Sequence, residues 1–438
     1  MDPEHSIEKT TLRPWPFRWP SKATPVQGAL ETLLYRALLP MQRGSMRIEL
    51  PDGRVWAFGG EEASGSEDTV APAARIRIHD PIFFRKCVLF GDIGFGESYV
   101  DGDWETDSIA KVVSWFILNL EDSPTLSGTR RKSRHINWLG TLNQWIYRLS
   151  HNSLTGSKRN ISAHYDLSND LFRTFLDSTL TYSCAYFESP AQSLEAAQLA
   201  KYDRLCRKLR LRPQDHVLEI GCGWGGFSLY AARYYGCRIT AITISQQQFG
   251  YAQSQIRQAG LERQIDLRLQ DYREVEGQFD KIVSIEMLEA VGYRYLNVFF
   301  AKCHQLLKRQ GLLGLQVITC ADHRFEVLRR NVDWSQKHIF PGSLILSIAA
   351  INASINQTGD LFLHNLEDLG HCYAQTLSAW HQRFNENLAA VKALGFDEPF
   401  IRKWNYYLMY CQAAFAMRHN SVVQAIYTRQ NNYSLEAR

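Results

Sequence analysis

Val217-Leu218-Glu219-Ile220-Gly221-Cys222-Gly223-Trp224-Gly225-Gly226 is the stretch that decides the fold. Val217 to Ile220 have the character of a buried strand. The glycines after them form a turn that opens into Phe227-Ser228-Leu229-Tyr230-Ala231-Ala232, the first turns of a helix. A tight strand-to-helix turn needs residues that tolerate positive φ and admit a ligand close to the backbone, and glycine does both. Gly221, Gly223 and Gly226 have the spacing of a dinucleotide turn, but the acid expected about 20 residues further on is missing. Ser245 and Gln246 stand there instead. Taken alone, the turn is also compatible with a plain strand-to-helix connection.

Working outward, Arg238 to Ile244 is a second β-branched strand, followed by Ser245-Gln246-Gln247-Gln248. Ile265 to Leu269 is a third, ending at Gln270-Asp271-Tyr272, and Phe279 to Ile285 a fourth, ending at Glu286-Met287-Leu288-Glu289. Leu312 to Ile318 is a fifth. Helical-length segments separate most of them, so the chain predicts an α/β fold with a parallel sheet covered on both faces. Polar residues cluster just past the strand ends, where open α/β sheets bind ligands. The pattern is that of a nucleoside-type site.

With 438 residues the chain has room for two or three domains. A hydrophobic share of 45% and a charged share of 21% are ordinary for a globular protein. The net charge of +4 is too weak to argue for nucleic acid. The nine cysteines are scattered, with no Cys-x-x-Cys pair and no Cys/His cluster at zinc-ligand spacing. That argues against a metal site or a disulfide framework and for a reducing compartment. No apolar run reaches membrane-spanning length, and the acidic start at Asp2, Glu4 and Glu8 is unlike a signal peptide.

Residues 1–27 read as a flexible leader and 28–121 as a smaller α+β N-terminal domain. In the latter, Met46 to Leu50 and Val55 to Phe58 form a hairpin around Pro51-Asp52-Gly53-Arg54, and Ala74 to Ile78 alternates apolar and basic residues. Residues 122–159 read as a connector carrying Arg130-Arg131-Lys132-Ser133-Arg134-His135, then Trp138, Leu142, Trp145, Ile146 and Leu149 at helical spacing, then Lys158-Arg159. Such a segment suits an anionic membrane surface, and equally a domain-packing helix with a solvated basic face. Residues 160–438 form the larger domain, ending in an aromatic-rich helix through Trp404, Tyr406, Tyr407 and Phe415 and a last strand from Ser421 to Thr428. These aromatics read as core.

Several motifs then converge: HYDLSND at 164–170, TYSCAYF at 181–187, VLEIGCGWGG at 217–226, TIS with Gln248, EMLEAVG at 286–292 and IFPG at 339–342. In these the chain resembles the cyclopropane-fatty-acyl-phospholipid synthases and the related mycolic acid cyclopropane synthases, from about Asn160 to the C-terminus. The Gly91 to Glu105 region resembles the N-terminal domain of the longer, phospholipid-acting members. The resemblance implies a class I S-adenosylmethionine-dependent methyltransferase (Rossmann-like) fold. It also implies methyl transfer to a cis double bond of an acyl chain in a phospholipid, with bound bicarbonate taking a proton as the ring closes. An alkene is a poor nucleophile with no proton to remove first, so catalysis must rest on positioning and on tolerating a cation. Aromatic faces such as Tyr182, Tyr186 and Tyr373 suit that need.

By the same resemblance Tyr182, Ser183, Gly221, Cys222, Gly223, Thr243, Ile244, Ser245, Gln248, Asp271 and Tyr272 contact the cofactor. Cys184, Glu289, Ile318 and Tyr373 occupy the bicarbonate-site positions. Bacterial phospholipid enzymes of the family carry Glu-His where this chain has Glu289-Ala290, and a histidine where it has Gln316. The Glu-Ala form with glutamine resembles the plant-type members. Gln316 can hydrogen-bond an oxyanion but cannot act as a base. Cys184 reads as part of the site rather than as a nucleophile, since no histidine stands nearby in sequence.

The expected setting is cytoplasmic and peripheral at the inner membrane surface, with unsaturated phospholipid as partner, no nucleic acid, and a homodimer as the assembly considered. Competing readings are a C-methyltransferase making methyl-branched, methylene or furan fatty acids, a silent lipid-binding relative, and a small-molecule N-methyltransferase.

Overall fold

The computed structural model describes residues 25–60, 72–120 and 168–435. The leader up to Thr24, the basic connector, and His164 to Leu167 of the HYDLSND stretch lie outside the described residues.

The N-terminal unit comprises helix α1 (Pro25–Leu38), strands β1 (Ser45–Glu49), β2 (Val55–Gly59) and β3 (Ala73–Ile78), helix α2 (Ile82–Val100), strand β4 (Trp104–Glu105) and helix α3 (Ile109–Leu118). Its sheet runs β2-β1-β3-β4, with β1 and β2 as the antiparallel hairpin. Gly53 (φ +83°) closes the turn, where the Asp52 carboxylate accepts the Arg54 N–H at 3.0 Å. Burial alternates along β3, with Ala74, Ile76 and Ile78 inward and Arg75 and Arg77 in solvent.

The larger unit continues with α4 (Asn169–Phe175), α5 (Leu194–Lys208), β5 (His216–Ile220), α6 (Gly226–Tyr235), β6 (Arg238–Thr243), α7 (Gln246–Gln258), β7 (Ile265–Leu269) and β8 (Phe279–Ile285). Then come α8 (Leu296–Leu306), β9 (Leu307–Cys320), α9 (Asp322–Arg330), α10 (Trp334–His338), α11 (Ile348–Thr358) and β10 (Leu361–Asp368). Helices α12 (Gly370–Glu386), α13 (Leu388–Ala393) and α14 (Glu398–Ala416) and strand β11 (Asn420–Arg429) complete it. The seven-stranded sheet has the order β10-β11-β9-β8-β5-β6-β7. Strands β5 to β9 pair in parallel, and β11 runs antiparallel to β9 and β10. The sheet is therefore mixed rather than wholly parallel. Strand β10 escapes sequence reading because it is mostly exposed beyond Leu361 and lacks the apolar run of a covered strand.

Alternate residues of each strand enter different cores, as the two-residue period requires. Val217 and Ile239 join Leu205, Phe227 and Ile256 of α5, α6 and α7, whereas Leu218 and Ile220 join Phe299, Phe300 and Ile351 of α8 and α11. The aromatics read as core are core. Trp380, Trp404, Tyr406, Tyr407 and Phe415 share one buried cluster with Phe83, Trp104 and Trp115 of the N-terminal unit. Close approach of the units depends on Gly96 in α2. A Cβ there would lie 2.4 Å from Trp334 Cδ1 and 2.8 Å from Tyr406 Cε1. Beside it Glu97 accepts from Lys337 at 2.7 Å and His338 at 2.9 Å, and Arg402 donates to the Tyr99 and Trp104 carbonyls. Among the described residues no helix is long and apolar enough to cross a membrane.

Candidate active site

The glycine turn leaves β5 at the edge of a cleft built from the ends of β5, β6, β7 and β8. Gly221 (φ +81°) bends the chain out of the strand, and a Cβ there would press on Met287 at 2.6 Å. Gly223 (φ +54°) has nothing within 4 Å of its Cβ position, so the turn presents bare backbone to the cleft. Cys222 lines the same wall. At the end of β6 stand Thr243 and Ile244, and the Thr243 hydroxyl donates to the Gln248 amide oxygen at 2.9 Å, holding Gln248 against the cleft. Asp271 and Tyr272 line the wall after β7. The Asp271 carboxylate accepts the Arg273 N–H at 2.9 Å and its guanidinium at 2.8 and 2.7 Å. Tyr182 and Ser183 complete the lining. The Tyr182 hydroxyl pairs with that of Tyr407 at 2.7 Å, and Ser183 Oγ accepts from Lys201 at 2.8 Å.

Ser245 stands apart from the lining residues: its hydroxyl caps α7 by accepting the Gln248 N–H. Otherwise these residues fit S-adenosylmethionine: open space over a glycine at positive φ, side-chain amide and hydroxyl groups after β6, and a fixed carboxylate after β7.

Two of the expected bicarbonate residues, Cys184 and Tyr373, meet with Gln316 around a side chain that the sequence reading passed over, Glu286. It is the first residue after β8, lines the cleft, and has φ +48°, the left-handed region that non-glycine residues rarely occupy. Its Oε1 accepts the Cys184 backbone N–H at 2.8 Å and Gln316 Nε2 at 2.8 Å. Its Oε2 accepts the Tyr373 hydroxyl at 2.7 Å. Gln316 is oriented as a donor by a relay across the sheet. Lys208 donates to Gln424 Oε1 at 3.0 Å, which sets the Gln424 amide so that its Nε2 donates to Gln316 Oε1 at 3.1 Å. The Gln316 amino group then faces Glu286 and the Cys184 carbonyl. Bicarbonate therefore does not fit as expected, because the donors of Cys184, Gln316 and Tyr373 are already committed to a carboxylate. The available signal was position: Glu286 opens EMLEAVG at a strand end, where such sheets present ligand groups.

Glu289 and Ile318 form the neighbouring contact. The Ile318 N–H donates to Glu289 Oε1, and Glu289 Oε2 is buried with no hydrogen-bond partner among the described residues. Burial, reinforced by the charge of Glu286, pushes the Glu289 carboxyl up to about 8. Burial also raises Glu286, opposed by the donations from Gln316, Tyr373 and Cys184. Lys201 is the buried cation of the region; burial lowers it to about 8, while Glu286, Cys184, Asp177 and Glu219 pull it the other way. The Cys184 thiol is pushed well above its ordinary range by burial, so its contribution is the backbone N–H rather than a thiolate. Tyr373 packs on Phe415 at 4.3 Å between ring centroids. Tyr186 does not offer its face to a cation in the cleft, since the Arg204 guanidinium already lies 4.4 Å from its ring centroid.

A sequence profile described as mycolic acid cyclopropane synthetase matches residues 151–425. The chain is 36% identical over 416 residues to tuberculostearic acid methyltransferase UfaA1 of Mycobacterium tuberculosis, covering 93% of this chain and 94% of that protein. It is 34% identical over 396 residues to the cyclopropane-fatty-acyl-phospholipid synthase of Escherichia coli, covering 87% and 95%. Among solved structures, mycolic acid cyclopropane synthase CmaA1 complexed with SAH and CTAB superposes with a TM-score of 0.58 at 32% identity, over 62% of this chain and 98% of that one. The strand order, the glycine-lined cleft and these likenesses agree: the chain is a methyltransferase of the mycolic acid cyclopropane synthetase family, with the class I S-adenosylmethionine-dependent fold.

Proposed function

We infer that the protein transfers the methyl of S-adenosylmethionine to a cis double bond of unsaturated acyl chains in membrane phospholipid and closes a cyclopropane ring. The observation that carries this is the meeting of Glu286, which lines the cofactor cleft together with Tyr182, with the buried Tyr373 that donates to its carboxylate. An alkene attacked by an electrophilic methyl becomes a cation that must be sheltered from water and then lose a proton. Bound S-adenosylmethionine supplies that methyl. Gly221, Gly223, Gln248 and Asp271 would hold and orient it, Tyr182 and Tyr373 would tolerate the cation, and the carboxylate cluster would take up the proton.

A methyl-branched or methylene product is the second reading, supported by similarity over nearly the whole chain to a protein named for tuberculostearic acid. Action at the cytoplasmic membrane surface, with the basic segment at 130–134 and 158–159 on anionic lipid, belongs to the same proposal. Vesicle binding that weakens with salt supports it, and equal binding to neutral and anionic vesicles at low salt contradicts it. The function is tested by expressing the chain in a host without its own cyclopropane synthase and analysing its lipids by mass spectrometry. A gain of one CH₂ on unsaturated chains, resolved as ring or branch, is expected; unchanged lipids contradict the reading.

A further inference from the structure

We propose that Glu286 is the catalytic base of the reaction, its carboxylate standing where a separate anion would otherwise be needed, so that turnover does not require bicarbonate. The proposal rests on the methyl-transfer reading above.

Three observations carry it. First, Glu286 lines the same cleft as Gly221 and Gly223, which sets its carboxylate cage directly beside the cofactor position. Second, both its oxygens are held by donors from three separate parts of the chain, the loop at Cys184, strand β9 at Gln316 and helix α12 at Tyr373. That is an anion-binding cage filled by a side chain. A second anion would find these donors occupied and the negative charge of Glu286 beside it. Third, the cage is paired with a backbone at φ +48°, which glycine adopts freely and glutamate does not. A glutamate in that conformation is held there by its carboxylate contacts. Gln316 completes the assignment, because the Gln424 contact leaves its amino group, not its oxygen, facing Glu286.

The step balances with groups in hand. The alkene π pair makes the new C–C bond to the methyl as the methyl–sulfur bond breaks, its pair staying on sulfur in the departing S-adenosylhomocysteine, and a cation is left on the adjacent carbon. Glu286 removes one proton from the added carbon and becomes a carboxylic acid. The released C–H pair closes onto the cationic carbon as the third side of the ring, and the proton passes to water once the product leaves. In the methylene alternative a hydride shift comes first, and the same pair forms a double bond.

The test uses the full-length protein, with cofactor affinity measured by calorimetry for every variant. Wild-type methyl incorporation into unsaturated phospholipid should be equal in carbonate-free and bicarbonate-supplemented buffer. Glu286→Gln should lose about 100-fold or more in kcat at unchanged cofactor affinity. Glu286→Gly, which suits the backbone and vacates the cage, should lose as much but recover in part with added bicarbonate or formate, a rescue that a merely structural role would not show. ¹³C-bicarbonate titrated against cofactor-saturated protein should bind saturably to Glu286→Gly and not to wild type, a readout that needs no lipid. Bicarbonate bound by the wild type, a wild-type rate that falls on depletion, or a fully active Glu286→Gln overturns this proposal alone. Wild-type inactivity on every unsaturated lipid overturns the methyl-transfer reading and the proposed step together.

Discussion

Gln424 touches neither the cleft nor the cofactor position, yet its replacement by methionine should slow the reaction. It is fully buried in β11 opposite Gln316 of β9, accepts from Lys208 and donates to Gln316 Oε1. Methionine is close in volume, so the packing cost should stay below about 1.5 kcal/mol. The larger effect is polar. Gln316 Oε1 becomes a buried acceptor with no partner, worth about 1–3 kcal/mol, and its amide is free to turn. The turned amide presents an oxygen to the Glu286 carboxylate in place of a donor. If about 1.4 kcal/mol of this difference is expressed in the transition state, kcat falls about tenfold. Losing the Gln316 donation also moves the Glu286 carboxyl further up, in a setting where it faces Lys201, Glu289, Cys184 and Tyr373. The base must be ionised, so the acid limb of the rate profile should shift to higher pH. Methyl incorporation across pH, with cofactor affinity and thermal melting in parallel, checks both effects. A variant that melts lower but keeps the wild-type kcat and pH profile would refute the relay as the device that orients Gln316.

Gly223→Val should abolish cofactor binding by calorimetry while circular dichroism stays native, because it puts a branched side chain at φ +54° into the open cleft; undiminished binding would remove the cofactor from this turn. Glu289 has an ordinary value of 4.5 and is pushed up to about 8, so between these values the folded state holds a proton that the unfolded chain has lost. Stability should therefore fall as pH rises through that window, with Glu219, also pushed to about 8, acting in the same sense. Thermal melting of Glu289→Gln should show a shallower fall than wild type, and an equal or steeper fall would contradict the assignment. Gly96→Val should destabilise the protein by about 1–3 kcal/mol through its collision with Trp334 and Tyr406, read by denaturant unfolding; a neutral change would mean that the units are not packed this closely.

The parts of the fold that could be read were those with local signatures. Strands β5 to β9 announced themselves by β-branched runs, and the hairpin by Pro51-Asp52-Gly53. Gly221 and Gly223 stood out because only glycine suits their backbone and the close approach they allow. Strand β10 carries no such signature, because as a largely exposed edge it needs little apolar surface. Site residues divide in the same way. Those after strand ends were legible by position, but the role of Glu286 depends on donors far from it in sequence and on one backbone dihedral. Neither is visible in a string of letters. Ser245 shows another role for a polar residue at a strand end, since its hydroxyl caps a helix.

The most direct measurement is to incubate the purified protein with S-adenosylmethionine carrying a trideuterated methyl group and with unsaturated phospholipid, then weigh the acyl chains. Methyl transfer followed by proton loss from the added carbon gives chains heavier by one CD₂ unit, with the third deuterium released to water and no change when bicarbonate is removed. Acyl chains that gain no label would contradict the assigned reaction, and chains that retain all three deuteriums would contradict removal of a proton from the transferred carbon.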